Sequence, residues 1–257
     1  MKIENIDNQY EGFHAEFYDI MHTDTTDLPF YLEECMKADG PVMEIGSGTG
    51  RLLIPLRRNG IDIIGIEPFE ETIKIAHQKS KEQTIDCQII HATAQKFAVA
   101  QKFNLAFIGC NTFQHFVQLD DQKSALKNIS RHLRKNGKIL IDLVLPDIKT
   151  MVATDGKTEI FEYLHPSRKT TIKDSFTAKY DFTRQIEEDN IVLEEFDGDT
   201  CLRRATADVI MTYFFPRELM LLVENCGFEI TNLWKDYNRG AFDANSSLII
   251  IEAKKVS

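Results

Sequence analysis

Along the chain the spacing of apolar side chains changes character three times. Over residues 1–40, Tyr10, Phe13, Phe17, Tyr18, Phe30, Tyr31 and Leu32 recur among acidic and polar positions at spacings that predict amphipathic helices covering another part of the protein. From 41 to 145, short β-rich runs (PVMEI, IDIIGIE, DCQII, NLAFIGC, KILIDLVL) alternate with helical stretches such as FEETIKIAHQK and DQKSALKNISRHLRKNG. That alternation predicts an α/β protein, a parallel sheet with helices on both faces. In the helix before KILIDLVL, Leu126, Ile129 and Leu133 keep the helical period, and Lys135-Asn136-Gly137 supplies a stop.

Between about 155 and 215 the helical period disappears. The residues there predict two or three long strands joined by polar turns at Glu188-Asp189-Asn190 and Asp197-Gly198-Asp199, an inserted antiparallel sheet. Pro216 then opens the helix RELMLLVENCG, and FEITNLWKDY and SLIIIEAKK follow as a closing strand pair. No internal repeat or low-complexity linker interrupts the pattern. The expected organisation is a helical cap at 1–40, a core at 41–154, a β lid at 155–215, and the final helix and strand pair of the core at 216–257.

Composition narrows the class. At 257 residues, 43% hydrophobic and 27% charged, the chain suits one soluble α/β domain carrying an insertion. Thirty Lys+Arg against 40 Asp+Glu leave a formal charge of −10, which repels phosphate backbones and anionic lipid, so neither nucleic acid nor membrane is expected as a partner. The five cysteines show no CxxC spacing, and His14, His22, His77, His91, His132 and His165 lack metal-ligand spacing, so no metal is expected. The start, MKIENIDNQYEGF, has no apolar stretch after its basic residue, and no run approaches the ~18 apolar residues that span a bilayer. A cytoplasmic protein is the expectation.

The chemistry concentrates at Pro41 to Arg51, PVMEIGSGTGR: a strand carrying Glu44, then Gly46-x-Gly48-x-Gly50, then a helix start. Glycines here let the backbone turn tightly and approach a ligand without a Cβ clash. A dinucleotide fingerprint would read G-x-G-x-x-G, and Arg51 stands where its last glycine would be, so a nicotinamide cofactor is disfavoured. Glu67 ends the next strand, placed to accept hydrogen bonds from both hydroxyls of a ribose. Loop and acid together predict a nucleoside ligand. Taken singly, Glu67 reads equally as a solvated strand-end acid, Glu44 as a loop-bracing acid, and Arg51 as a surface arginine.

With these residues the sequence resembles the class I S-adenosylmethionine-dependent methyltransferases, a Rossmann-like fold whose first motif ends an acidic strand in this glycine loop. Within them it is similar to the small-molecule N-methyltransferases, a group that includes glycine N-methyltransferase and amino-sugar N-methyltransferases. The likeness lies in Gly109-Cys110-Asn111-Thr112-Phe113-Gln114-His115, in SALKNISRHLRKNGKILID and in YFFPRELMLLVENCGF. It implies S-adenosylmethionine as cofactor, with Glu44, Gly46, Ser47 and Gly48 around its methionyl part. Arg51 would pair with its carboxylate, Glu67 would hold the ribose, and Pro68, Thr93 and Ala94 would stand at the adenine. Cys110 and His115 would stand beside the cofactor, Asn111 would orient the acceptor, and Tyr10 and Tyr18 would fold over the cofactor from the cap. His115 is open to three roles: cofactor contact, general base, or packed helix histidine. Tyr10 and Tyr18 read equally as core tyrosines, and Asn111 as a loop cap.

Residues 155–215, where the helical period is lost between the fifth strand and the final helix, can reach the carboxyl ends of the parallel strands and are expected to form a lid over the cofactor's methyl side that chooses the substrate. Glycine-methylating relatives place an arginine after the fifth strand's aspartate, whereas Asp142-Leu143-Val144-Leu145-Pro146 is apolar there, which argues against a simple amino acid held in that way. The expected partner is a small-molecule methyl acceptor, with nitrogen ahead of oxygen as the atom methylated. A non-catalytic nucleoside-binding module and an RNA methyltransferase are the competing classes; the intact loop with Asn111 and His115 opposes the first, the −10 charge the second.

Overall fold

The computed structural model describes residues 2–6 and 10–256. In chain order the elements are β1 (Lys2–Ile6), α1 (Gly12–Met21), α2 (Leu28–Ala38), β2 (Val42–Ile45), α3 (Leu53–Arg58), β3 (Ile63–Glu67), α4 (Glu70–Glu82) and β4 (Gln88–His91). There follow β5 (Phe103–Ile108), a 3-10 turn (Thr112–His115), α5 (Leu119–His132), β6 (Leu133–Val144) and α6 (Ile148–Thr154). The remainder comprises β7 (Thr158–Leu164), β8 (Thr171–Asp181), β9 (Ile186–Asp197), β10 (Thr200–Thr212), α7 (Pro216–Asn225), β11 (Phe228–Trp234) and β12 (Leu248–Lys255). Two compact units share them: residues 24–146 with 213–257, and residues 1–23 with 147–212.

The first unit is a seven-stranded sheet in the order β11-β12-β6-β5-β2-β3-β4. β2 pairs parallel with β3 on one side and β5 on the other, and β6 continues parallel to β5; β12 is antiparallel to both its neighbours. Every residue of β2 and β3 is buried, as strands covered on both faces require. The strand order reverses between β2 and β5, so their carboxyl ends frame the crevice in which open α/β sheets bind ligands. Helix chemistry follows the dipole: α4 carries Glu70 and Glu71 in its first turn and Lys79 and Lys81 in its last, and α5 opens on Asp120 and Asp121 and closes on Arg131 and His132.

The second unit is a five-stranded sheet, β1-β10-β9-β8-β7, antiparallel except that β1 runs parallel to β10. Its core joins Phe13 and Phe17 of α1 to Ile172, Ile191, Leu193, Ala205 and Val209, which alternate along their strands as a one-faced sheet demands. Beside it Glu16 and the buried Glu195 are bridged by Arg168 and Arg203, whose guanidinium also lies 4.4 Å from the Phe13 ring centroid. Asp147 caps α6 by accepting from the Lys149 and Thr150 amides.

Residues 155–215 contain four strands, where the sequence pattern suggested two or three. The expected cap divides: α1 folds with the antiparallel sheet, while α2 packs in the parallel unit, where Phe30, Tyr31 and Cys35 are buried beside Phe107 and Leu140. Lys2–Ile6, expected among helices, is a strand, because the outer edge of β10 offers its backbone a parallel ladder. Among the described residues no helix is long and apolar enough to cross a membrane.

Phe107 is fully buried and its ring stacks 4.6 Å from Tyr31. Phe107→Ala is therefore expected to cost about 3–5 kcal/mol of folding stability. Urea denaturation checks this, and a loss below about 1 kcal/mol would contradict the packing described.

Candidate functional site

At the carboxyl end of β2 the chain turns through Gly46, Gly48 and Gly50, all at positive φ, and each glycine answers a different constraint. A Cβ on Gly46 would strike the Thr112 side chain, and one on Gly50 would meet Ile54 Cδ1 at 2.9 Å, so these two are required by packing. At Gly48 a Cβ would meet nothing within 4 Å among the described residues, so bare backbone faces open space with respect to them. Ser47 buries its side chain toward Gly65 of β3, whose missing Cβ makes the room, and its hydroxyl has no hydrogen-bond partner among the described residues.

Glu67 binds this loop from the neighbouring strand end. Its Oε2 accepts from the Gly48 amide at 2.8 Å, and its Oε1 accepts from the Phe69 amide at 3.0 Å and the Thr72 hydroxyl at 3.2 Å. An ionised carboxylate offers about four lone-pair sites; these three bonds leave capacity for a ligand hydroxyl. Burial raises the Glu67 carboxyl above its ordinary range, while the Gly48 amide, the Phe69 amide and the Thr72 hydroxyl pull it back. Pro68 follows, half-buried, with its carbonyl 2.9 Å from His91 Nε2. Thr93 is exposed at the turn after β4 and Ala94 is buried; Asn128 Nδ2 holds the carbonyls of Ala94 and Phe97 at 3.0 Å each.

Glu44, one residue before the end of β2, is 5% exposed, and its Oε2 has no hydrogen-bond partner among the described residues. Arg51 turns to Asp27 at the start of α2: its Nη1 donates to Asp27 Oδ1 and to the Asp24 carbonyl, each at 2.8 Å, and its Nη2 reaches Asp27 Oδ2 and Cys110 Sγ. A carboxylate expected from a ligand is thus already present in Asp27, which in the sequence is marked only as a polar residue before a helix.

After β5, Cys110 and Asn111 both adopt left-handed φ, 55° and 61°. Asn111 Oδ1 accepts from the Val144 amide at 2.7 Å, and its own amide donates to Asp142 Oδ1 at 3.2 Å. Asp142 is 1% exposed, and its Oδ2 accepts from the hydroxyls of Tyr31 at 2.5 Å and Tyr237 at 3.0 Å. Burial raises the Asp142 carboxyl, with the Tyr31 hydroxyl foremost in opposing it; both tyrosines are held as protonated donors, their pKa raised by burial and by Asp142. The sequence signal for this cluster was a lone acid inside ILIDLVL, since a charge in a buried strand demands partners. His115 closes the 3-10 turn half-buried, and burial pushes its imidazole down to about 4.

Glu44 within β2, Glu67 at the end of β3, and Gly46, Ser47, Gly48, Arg51, Pro68, Thr93, Ala94, Cys110, Asn111 and His115 in the segments that follow β2, β3, β4 and β5 all belong to the parallel unit. Tyr10 and Tyr18 belong to the antiparallel unit, where their rings lie 5.9 Å apart and Tyr18 lies 4.3 Å from the His22 ring.

Residues 42–137 match the family model for the methyltransferase domain. That segment, 96 of the chain's 257 residues, is similar to a methyltransferase domain. The chain is 22% identical over 256 residues to a putative methyltransferase, YqeM, of Bacillus subtilis, covering 96% of this chain and 97% of that protein. It is 28% identical over 145 residues to a methyltransferase of Alkaliphilus oremlandii, covering 56% of this chain and 62% of that protein, so the match spans about three fifths of that relative. A sugar N-methyltransferase, KedS8, from Streptoalloteichus shares the fold with a TM-score of 0.75 at 14% identity, covering 96% of this chain and 94% of that one. An amino pentose methyltransferase from Micromonospora echinaspora, CalS10, solved with S-adenosylmethionine bound, shares the fold with a TM-score of 0.72 at 13% identity, covering 98% of this chain and 100% of that one, and the residues present here fit that cofactor. Among the described residues Gly48 offers unobstructed backbone, Glu67 a buried carboxylate with capacity to spare, and Glu44 and Ser47 buried polar atoms without hydrogen-bond partners.

Burial, opposed by Arg51, holds Glu44 well above the ordinary carboxylate range. Unfolded, Glu44 ionises in that range; folded, it keeps its proton, so its contribution is complete at low pH and is lost as pH rises through the raised folded value. Glu44→Gln has no proton to lose. It is expected to melt above wild type near pH ~8, with the difference closing toward pH ~4. Thermal unfolding across pH checks this, and a pH-independent difference would contradict it.

Proposed function

We propose that the protein transfers the methyl group of S-adenosylmethionine to an amine nitrogen of a small molecule. The observation that carries this reading is the glycine loop tied through the Gly48 amide to the buried Glu67 carboxylate, with open space at Gly48. When bound, S-adenosylmethionine supplies a methyl group whose leaving group is already activated by its sulfonium charge. The protein's task is then alignment and exclusion of water rather than strong acid–base chemistry.

In this reading Glu67 holds the ribose hydroxyls, the backbone at Gly48 lies along the methionyl part, and Pro68, Thr93 and Ala94 border the adenine. Arg51 remains bound to Asp27 and contributes positive charge beside the loop. His115, with its imidazole pushed down to about 4, stays neutral at physiological pH and adds no repulsion toward a sulfonium. So weak a base is poorly matched to deprotonating a hydroxyl, whereas an amine that arrives with a free lone pair needs no base. This difference favours nitrogen over oxygen. The sugar N-methyltransferase that shares the fold supports the same choice, and the acceptor remains a small molecule in this proposal.

Methyl transfer from labelled S-adenosylmethionine to a panel of primary and secondary amines, with phenols and alcohols alongside, tests the reading. Amines are expected to be methylated; transfer to the hydroxyl compounds alone would overturn the nitrogen assignment. Glu67→Ala is expected to weaken S-adenosylhomocysteine binding about tenfold or more, from a loss of roughly 1–3 kcal/mol. An unchanged calorimetric Kd would remove Glu67 from the ribose.

His115→Ala separates contact from base. If the amine sets its own protonation, wild type and variant share the same acidic limb in the pH profile of kcat/KM, whatever the variant does to cofactor affinity. An acidic limb present only in wild type would make His115 the base.

A further inference from the structure

Cys110 and Asn111 stand consecutively in the left-handed region at the carboxyl end of β5, a conformation that costs any side chain other than glycine and persists only where the surroundings impose it. The end of β6 imposes it here. Asn111 is fastened twice to that strand, by its amide to Asp142 Oδ1 at 3.2 Å and by its side-chain oxygen from the Val144 amide at 2.7 Å. Asp142 is itself fixed from two further elements, by the Tyr31 hydroxyl of α2 and the Tyr237 hydroxyl of the segment after β11. Because Val144 N–H can only donate, the side-chain atom it meets must be Oδ1, and what Asn111 has left to offer is its Nδ2 donor.

Resting on the methyl-transfer reading, we propose that Asp142, clamped by Tyr31 and Tyr237, is a positioning residue that holds the Cys110–Asn111 turn so that Asn111 presents Nδ2 alone to the methyl acceptor. The consequence is a specific one. A nitrogen that is to attack the methyl group must keep its lone pair free, so the Nδ2 donor holds a neighbouring hydrogen-bond acceptor on the substrate and not the reacting atom.

Three variants of the full chain test this: Asp142→Asn, Tyr31→Phe and Tyr237→Phe. Backbone hydrogen exchange over residues 109–116 is expected to quicken about tenfold or more in Asp142→Asn and less in either tyrosine variant, which keeps the carboxylate, while β2 and β3 stay protected. S-adenosylhomocysteine should bind all three within about threefold of wild type. With an amine acceptor, kcat should fall about tenfold in Asp142→Asn and by a smaller factor in Tyr237→Phe, a graded loss that follows the number of clamps removed.

Unmoved exchange over 109–116 overturns the clamp, as does a loss of cofactor affinity in step with kcat, which would mark a merely structural carboxylate. Should Asp142→Asn fail to fold, the two tyrosine variants carry the same comparison. Wild-type protein that binds no S-adenosylhomocysteine sinks the methyl-transfer reading instead, and the exchange result still decides whether Asp142 holds the turn.

Discussion

The bond between the Gly48 amide and the Glu67 carboxylate joins the ends of two adjacent parallel strands, and the arrangement of the site depends on it. β2 and β3 are buried on both faces, so their last residues have no freedom to drift, and the carboxylate between them sets where the glycine loop lies. Thr72 in α4 and the Phe69 amide fix the same carboxylate from the other side, which ties the first turn of that helix to the loop as well. A flexible Gly-rich turn thereby becomes a fixed surface, as a site that aligns rather than ionises its ligands requires.

Three acids sit at or near the carboxyl ends of the central strands, and their treatment differs. Glu67 is matched by three donors with room for a fourth; Asp142 is matched by two tyrosines and an amide; Glu44 is buried with one oxygen unmatched. An unmatched buried carboxyl is costly for the fold unless something else meets it. Arg51 and Asp27 supply a fourth constraint, locking the start of α2 against the loop by a bidentate pair.

The parallel unit was largely legible in the sequence because its signals are local: β-rich runs, glycines at fixed offsets and an acid at the end of the following strand. The antiparallel sheet was legible as loss of helical period, whereas its strand count and the parallel strand Lys2–Ile6 were not, since pairing partners far apart in sequence leave no local mark. The division of the cap between two units was hidden for the same reason: Phe17 and Phe30 have similar apolar surroundings in sequence and opposite destinations in space. Of the candidate site, the glycine loop and Glu67 stood out by spacing, and the structure joins them at the Gly48 amide. That Gly46 and Gly50 serve packing, that Ser47 turns inward against Gly65, and that Asn111 spends its oxygen on Val144 depend on neighbours brought together only by folding.

The central claim is that this surface receives S-adenosylmethionine and no dinucleotide. Its most direct test is a calorimetric titration of the wild-type chain with S-adenosylhomocysteine, set beside NAD under the same conditions. Saturable one-to-one binding of S-adenosylhomocysteine that NAD neither shows nor displaces is the predicted result. Binding of NAD with no heat from S-adenosylhomocysteine would contradict the account.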